Sequence, residues 1–132
     1  MNSVSPALAG RSIMVVEDEY LIALNIEMAL IDRGAHVIGP FSHVDAAIEA
    51  LSDAPLPHAA VLDINVRDRP VFPVAEILAS LKIPFVFATG YDNWTIPPAF
   101  SHVRRFEKPT DPERLSAALE QMLLALDQSG VA

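Results

Sequence analysis

The chain has 132 residues, 52% of them hydrophobic, and with about 150 residues per domain as a guide this predicts one domain with a packed core. The formal net charge of −8 has the wrong sign for holding phosphate backbones, so direct nucleic-acid binding is not expected. Cysteine is absent, which excludes disulfides and thiolate metal sites, and no apolar run approaches the roughly 18 residues of a membrane span. We therefore expect a cytoplasmic protein that binds neither nucleic acid nor membrane.

Five short apolar segments recur along the chain, separated mostly by amphipathic stretches. We predict strands at Ile13 to Val16, His36 to Ile38, Ala59 to Leu62, Phe85 to Ala88 and Val103 to Phe106. The first, third and fourth are apolar without alternation, which is typical of strands covered on both faces. Arg104 and Arg105 in the fifth strand indicate an edge position. The alternation of strands and helices predicts a parallel sheet.

The first three helices are predicted from the spacing of apolar side chains and from capping signals. The predicted buried face of the first helix consists of Leu21, Leu24, Met28 and Ile31. Gly34 ends this helix in a left-handed cap, and Ser42 with Asp45 forms a capping box at the start of the second helix. Pro73 suits the first turn of the third helix.

The segment before the fifth strand is predicted to be irregular, whereas the segment after that strand is predicted to be a regular helix. Pro97 and Pro98 interrupt Asn93 to His102, so we expect an irregular fourth helix there. Asp111 and Pro112 start the last helix. Its predicted buried face consists of Leu115, Ala118, Leu119, Met122 and Leu126. We predict one domain over residues 11–127, with loose tails at residues 1–10 and 128–132.

Polar and charged side chains follow four of the predicted strands. In chain order they are Glu17, Asp18, Glu19, Asp63, Thr89, Lys108 and Pro109. In an open parallel sheet the carboxyl ends of the strands meet at one edge, so we expect these residues to converge. Each has a purely structural alternative: the acids serve a helix N-terminus or cap a turn, the threonine hydroxyl is satisfied locally, and the lysine is a solvated charge.

Crowding of the carboxylates favours a chemical explanation over those alternatives. At about 5 Å and an effective dielectric near 20, each pair of carboxylates repels by on the order of 3 kcal/mol. Oxygen ligands without cysteine or paired histidine favour Mg²⁺, and Lys108 supplies a second positive charge. A carboxylate held beside these cations is able to act as a nucleophile toward a phosphoryl group, with Thr89 hydrogen-bonding one of its oxygens.

Four short motifs are spread over about Arg11 to Leu126. They are Val15-Val16-Glu17-Asp18-Glu19, Val61-Leu62-Asp63, Ala88-Thr89-Gly90 and Lys108-Pro109. Together they resemble the response-regulator receiver domain of two-component signalling. The resemblance implies an α/β, flavodoxin-like fold, which is a doubly wound (βα)5 domain with a five-stranded parallel sheet in the order 2-1-3-4-5.

The resemblance also implies a role for each residue of the acidic edge. Asp63 is the phosphoacceptor, Thr89 is the switch hydroxyl, and Lys108 pairs with the phosphoryl group. The implied Mg²⁺ ligands are Glu17, Asp18, Asp63 and the backbone carbonyl of Asn65. The Lys108–Pro109 peptide bond is expected to be cis.

A narrower resemblance covers Pro84 to Tyr91. This segment is similar to a receiver subgroup that carries a Phe-Ala-Thr-Gly-Tyr signature and is often paired with sensor kinases of the HWE type. Ordinary receivers carry an aromatic residue three positions before the lysine, where this chain has Arg105. Tyr91 and Phe106 are the nearby aromatic residues able to substitute for it.

The implied function is that of a stand-alone receiver in a Mg²⁺-dependent phosphorelay. A sensor histidine kinase, of the HWE type or another, or a phosphotransfer protein supplies the phosphoryl group, and the receiver signals to a downstream protein as a monomer or weak homodimer. It is not expected to be a metabolic enzyme, because it catalyses only its own phosphorylation and dephosphorylation. Arg67 and Arg69, after the phosphoacceptor, are expected to be solvated.

Three other functions remain open from the residues alone. An aspartyl-phosphate-forming phosphatase usually has a second acid two residues after the nucleophile, where this chain has Asn65. A flavin carrier needs a phosphate loop after the first strand, where Glu17 and Asp18 repel a phosphate. A receiver-like binding module that is never phosphorylated does not need the complete set of acids, threonine and lysine.

Overall fold

The computed structural model describes residues 7–53, 55–90 and 96–128. The elements in chain order are β1 (Ser12–Val16), α1 (Tyr20–Asp32), β2 (His36–Phe41), α2 (Val44–Ala50), β3 (Ala59–Asp63), β4 (Asn65–Val66), β5 (Arg69–Pro70), α3 (Phe72–Ser80), β6 (Phe85–Thr89), β7 (Arg105–Glu107) and α4 (Pro112–Gln128). A 3-10 turn at Pro98–Phe100 lies between β6 and β7. β2 therefore runs three residues past its predicted end, and β7 begins two residues later than predicted.

A five-stranded sheet in the order β2-β1-β3-β6-β7, with all neighbours parallel, forms the centre of the fold. This order confirms the predicted doubly wound, flavodoxin-like topology. Every residue of β3 is buried, as are four of the five residues in β1 and in β6, because helices cover both faces of the sheet. β7 lies at an edge, and Arg105 and Glu107 are exposed there, as predicted for the fifth strand.

Side chains on the two faces of the sheet form two separate cores. Leu62 and Phe87 belong to the core beneath α2 and α3. Val61 and Val86, their neighbours in sequence, belong to the core beneath α1 and α4. Successive side chains of a strand point to opposite faces, so a strand buried on both faces is apolar at every position.

The buried face of α1 is not the predicted one. The residues that α1 buries are Ala23, Ile26, Ala29 and Leu30. Of the predicted face, Leu24 is half-buried, whereas Leu21, Met28 and Ile31 are 70%, 59% and 54% exposed. The helix is apolar on two sides, so helical spacing fits either, and the side with two alanines packs closely on the sheet. The predicted face, which we call the α1 stripe, consists of Leu21, Leu24, Met28 and Ile31, and all but Leu24 are exposed.

The predicted N-terminal tail is wrong for residues 7–10. Leu8 is completely buried in the core beneath α1 and α4. The Gly10 N–H donates to the Gly34 carbonyl at 2.9 Å, and the Arg11 N–H donates to the Leu8 carbonyl at 3.0 Å. One apolar residue among small ones gives no periodic signal, which is why the sequence pattern did not show that this segment packs.

The last helix follows its prediction closely. α4 buries Leu115, Ala118 and Leu119 and adds Leu123, Met122 is partly buried, and Leu126 is 50% exposed. Near its end the Arg11 guanidinium lies 2.7 and 2.8 Å from the two carboxylate oxygens of Asp127. Residues 1–6 and 129–132, which belong to the predicted tails, lie outside the described residues. Among the described helices none is long and apolar enough to cross a membrane.

The predicted irregular fourth helix is described from residue 96 onward; residues 93–95 lie outside the described part. Over residues 96–102 the backbone forms the 3-10 turn and no α-helix. Phe100 of this turn is buried, and its ring stacks 6.2 Å from that of Phe72 and meets that of Phe87 edge-on at 6.1 Å. One buried aromatic thus fixes this stretch to the core beneath α2 and α3.

The predicted capping box at α2 is wrong. The helix begins at Val44, so His43 occupies the N-cap position, and no side chain caps the helix there. The Ser42 hydroxyl instead lies 3.0 Å from His43 Nδ1. The segment after β3 contacts the residues that lead into α2, where Arg67 Nε donates to the Ser42 carbonyl at 3.0 Å.

Candidate functional site

The carboxyl ends of β1, β3 and β6, together with the segment after β7, surround one cavity of about 410 Å³. Its described lining includes Asp18, Asp63, Asn65, Gly90 and Lys108. Strand direction explains this convergence, because the ends of parallel strands meet at the same edge of the sheet. The cavity therefore lies at the edge of the sheet where the polar side chains were predicted to converge.

Lys108 lies at the centre of the acidic cluster. Its Nζ is 2.9 Å from Glu17 Oε1, 3.1 Å from Asp63 Oδ2 and 3.7 Å from Glu19 Oε1. The Glu17 and Asp63 side chains are only 1% and 4% exposed. Burial lowers the pKa of Lys108, but the hydrogen bond to Glu17 and the charge of Asp63 outweigh it and raise the pKa above its ordinary value. The ammonium therefore stays protonated.

Asp63 ends β3 and is held at both carboxylate oxygens. Oδ1 accepts a hydrogen bond from the Asn65 backbone N–H at 3.2 Å, and Oδ2 accepts one from Lys108 Nζ. Burial and the charge of Glu17 raise the pKa of Asp63 to about 8, and Lys108 offsets only part of this effect. Ionising all three acids would thus place more negative charge in the cluster than one ammonium neutralises.

Asp18 is more exposed than Glu17 and Asp63. Its Oδ2 accepts a hydrogen bond from the Arg67 backbone N–H at 3.0 Å. Burial raises the pKa of Asp18, but the hydrogen bond donated by the Arg67 backbone and the interaction with the Asp63 side chain outweigh it and hold the pKa below its ordinary value. Asp18 is therefore ionised at neutral pH.

The arrangement of donor atoms fits a hard divalent cation. Glu17, Asp18 and Asp63 each offer one carboxylate oxygen, and these three oxygens lie within 4.8 Å of one another. Asn65, the fourth predicted ligand, lines the same cavity. Oxygen donors and uncompensated negative charge are what Mg²⁺ requires of a protein site. The residues present therefore fit the implied ion.

Thr89 stands apart from the other predicted residues. It ends β6, and its backbone carbonyl accepts the Lys108 N–H at 2.8 Å. Among the described residues, Gly90 lines the cavity and Thr89 does not. The switch role of its hydroxyl stays a prediction. The Lys108–Pro109 peptide bond is cis, as expected.

Arg105 occupies an exposed position on the edge strand. Its neighbour Phe106 is buried in the core beneath α1 and α4, and the Arg104 guanidinium lies 5.0 Å from the centre of that ring. Tyr91, the other aromatic residue considered as a substitute, lies outside the described residues. Phe106 therefore serves as a core residue in this conformation.

A hairpin formed by β4 and β5 near the acidic cluster was not predicted. At its turn Arg67 and Asp68 have φ angles of 51° and 63°. Glycine or asparagine usually marks such a turn, and neither occurs there, so the sequence pattern carried no signal for it. Arg67, predicted to be solvated, donates from Nε to the Ser42 carbonyl at 3.0 Å.

Comparison with known proteins finds curated relatives and solved structures that are similar to this chain. No family model matches the chain. The chain is 29% identical over 118 residues to the phyllosphere-induced regulator PhyR of Methylorubrum extorquens, an alignment covering 84% of this chain and 43% of PhyR. The chain spans less than half the length of the curated relatives that it matches.

Solved structures extend the comparison to the whole fold. The solution structure of SdrG from Sphingomonas melonis Fr1 is 34% identical with a TM-score of 0.73, covering 92% of this chain and 99% of SdrG. The BeF3-activated conformation of SdrG from Pseudomonas melonis Fr1 is 35% identical with a TM-score of 0.68, covering 87% of this chain and 98% of that one. The crystal structure of a response regulator receiver protein from Sinorhizobium medicae WSM419 is 25% identical with a TM-score of 0.74, covering 88% of this chain and 96% of that one.

Proposed function

The chain belongs to the receiver domains of response regulators, and we propose that it accepts a phosphoryl group on Asp63 from a sensor histidine kinase or a phosphotransfer protein. The observation that carries this proposal is the position of the Lys108 ammonium, 3.1 Å from Asp63 Oδ2 beside an open cavity. A buried carboxylate held by an ammonium and backed by two further acids is suited to forming an aspartyl phosphate.

In the proposed reaction a carboxylate oxygen of Asp63 forms a bond to phosphorus while the phosphorus–nitrogen bond of a phosphohistidine breaks. The electron pair of that bond stays on the imidazole nitrogen. Lys108 remains beside Asp63 and balances charge on the phosphoryl oxygens, and Thr89 hydrogen-bonds one of them. Mg²⁺, held by Glu17, Asp18, Asp63 and the Asn65 carbonyl, supplies further charge neutralisation when bound.

The product of this reaction is a signal and not a released metabolite. Hydrolysis of the aspartyl phosphate by the receiver itself ends the signal. The BeF3-activated conformation recorded for SdrG supports this proposal, since a fluoride complex of beryllium on a carboxylate resembles a phosphoryl group in shape and charge.

The α1 stripe is the surface that we propose for the kinase or phosphotransfer partner. Leu21 and Met28 are 70% and 59% exposed, and α1 begins directly after the acidic residues that follow β1. The start of α1 and Asp63 lie at the same edge of the sheet, because β1 and β3 are parallel neighbours. Replacing Leu21 and Met28 by serine should slow transfer from a phosphorylated kinase and leave modification by acetyl phosphate unchanged. Equal transfer rates for both proteins contradict this docking site.

The experiment that tests the proposed function is intact mass measurement after incubation with acetyl phosphate and Mg²⁺. We expect one phosphoryl adduct on the wild type and none on Asp63→Asn. Asp53→Asn, which changes an exposed acid, is the matched control and should carry the adduct. An unmodified wild type contradicts the proposal and favours the receiver-like binding module. Continuous turnover of small phosphate esters favours the phosphatase instead.

A further inference from the structure

Arg67 contacts the acidic cluster and the start of α2 at the same time. Its backbone N–H donates to Asp18 Oδ2 at 3.0 Å, and its side-chain Nε donates to the Ser42 carbonyl at 3.0 Å. The first contact holds an acid of the proposed cation site. The second ties the hairpin turn to the segment that leads into α2.

The turn that carries Arg67 needs such an anchor. Arg67 and Asp68 have φ angles of 51° and 63°, in the left-handed region that side chains other than glycine and asparagine adopt at a cost. The cost is smaller for Asp68 than for Arg67, because arginine has no intrinsic preference for this conformation. The Ser42 carbonyl therefore stabilises the backbone conformation that points the Arg67 N–H at Asp18.

We propose that Arg67 is a positioning residue for the acidic site, whose side-chain bond to Ser42 holds the hairpin turn so that its backbone N–H orients the Asp18 carboxylate. The inference rests on the proposed function, because it concerns the cation that Asp18 would bind. In this role the positively charged side chain of Arg67 increases the affinity of the site for a cation.

An electrostatic role and a positioning role of Arg67 predict opposite changes in cation affinity, so a measured affinity distinguishes them. Its positive charge disfavours a nearby cation, so a purely electrostatic role predicts tighter cation binding when the charge is removed. A positioning role predicts weaker binding, because the Asp18 carboxylate loses its orientation. Arg69 offers a matched control: it lies in the same hairpin and pairs with Asp45 of α2 at 3.1 Å.

The test is the binding of Mn²⁺, a spectroscopic substitute for Mg²⁺, measured from the electron paramagnetic resonance signal of the free ion. Arg67→Asn removes the guanidinium and keeps a residue that tolerates positive φ. We expect its dissociation constant for Mn²⁺ to rise by about tenfold, as for loss of other groups that orient metal ligands. Arg67→Lys, which keeps a donor on a long stem, should bind close to the wild-type value.

The control variants decide between the explanations. Arg69→Gln should bind Mn²⁺ as tightly as the wild type or more tightly. An unchanged or lower dissociation constant in Arg67→Asn, or an equal loss in Arg69→Gln, overturns the positioning role. If the wild type binds no Mn²⁺, or Asp18→Ala binds it as tightly, the proposed cation site fails and the inference fails with it. Titrations are made well below the metal-free melting temperature of each variant, so a loss of folding stability alone leaves the dissociation constant unchanged.

Discussion

Lys108 Nζ lies 3.1 Å from Asp63 Oδ2, yet the pKa of Asp63 is raised to about 8. The ammonium is shared with Glu17 at 2.9 Å, so it does not compensate the burial of both acids. The acidic cluster therefore opposes folding when no cation is bound.

This imbalance predicts that Asp63→Asn is more stable than the wild type in chelator-treated samples. The Asp63 carboxyl loses its proton near the ordinary aspartate pKa of 3.8 in the unfolded chain and near 8 in the folded chain. Because the folded chain binds the proton more tightly, the stability of the wild type falls as the pH rises between these values. We expect the variant to gain on the order of 2–4 kcal/mol at pH 8 and little at pH 4. Thermal unfolding at both pH values checks this, and an equal gain at both contradicts the cause given.

Mg²⁺ should raise the melting temperature of the wild type. A ligand that binds only the folded state stabilises it by about 2.7 kcal/mol at a hundredfold excess over its dissociation constant. Asp18→Ala should respond less, whereas Asp53→Ala, which changes an exposed acid, should respond like the wild type. The same temperature increase in all three proteins argues against Asp18 as a ligand.

Leu8→Ala should destabilise the protein although it lies near the start of the chain. Its side chain is fully buried, and removing a buried leucine to alanine typically costs about 2–5 kcal/mol. Leu124→Ala, on the surface of α4 and 40% exposed, is the control and should cost far less. Urea unfolding measures both, and equal midpoints show that residues 7–10 do not pack in solution.

Activation should slow amide exchange in residues 96–102. This stretch holds a 3-10 turn and no α-helix, and Phe100 is its buried contact with the core, so we expect the backbone around that residue to open at lower cost than the regular helices. A beryllofluoride complex at Asp63 that recruits the Thr89 hydroxyl should order it. Thr89→Ala should abolish the added protection and Thr89→Ser should keep it. If activation changes amide exchange only in α1 and α2, the signal leaves the protein through a different face from the one that carries residues 96–102.

The sheet and the acidic edge were predictable because both follow from strong local signals. Uninterrupted apolar segments such as Ala59 to Leu62 mark strands buried on two faces, and a parallel sheet brings their carboxyl ends together. The positions of Glu17, Asp63 and Lys108 follow from that geometry. Their distances and the pKa of Asp63 required the three-dimensional arrangement.

The failures have physical reasons of their own. In α1 two apolar faces satisfy the same spacing, and only the shape of the sheet beneath chooses Ile26 and Leu30 over the α1 stripe. The hairpin turn at Arg67 and Asp68 is held by tertiary contacts and not by its own residue types. Local residue preferences predict the structure correctly where tertiary packing agrees with them. In α1 and in the hairpin turn, tertiary packing determines the structure instead.

The ion pair between Arg11 and Asp127 has a practical consequence for reporters. Arg11 precedes β1 and Asp127 lies near the end of α4, so both mark the amino ends of the strands. Asp63 lies at the carboxyl ends, a strand of five residues away, or about 16 Å at the usual rise. A small fluorescent label attached near either residue thus lies on the side of the sheet away from Asp63, and a pair of labels, one near Arg11 and one near Asp127, starts from neighbouring points.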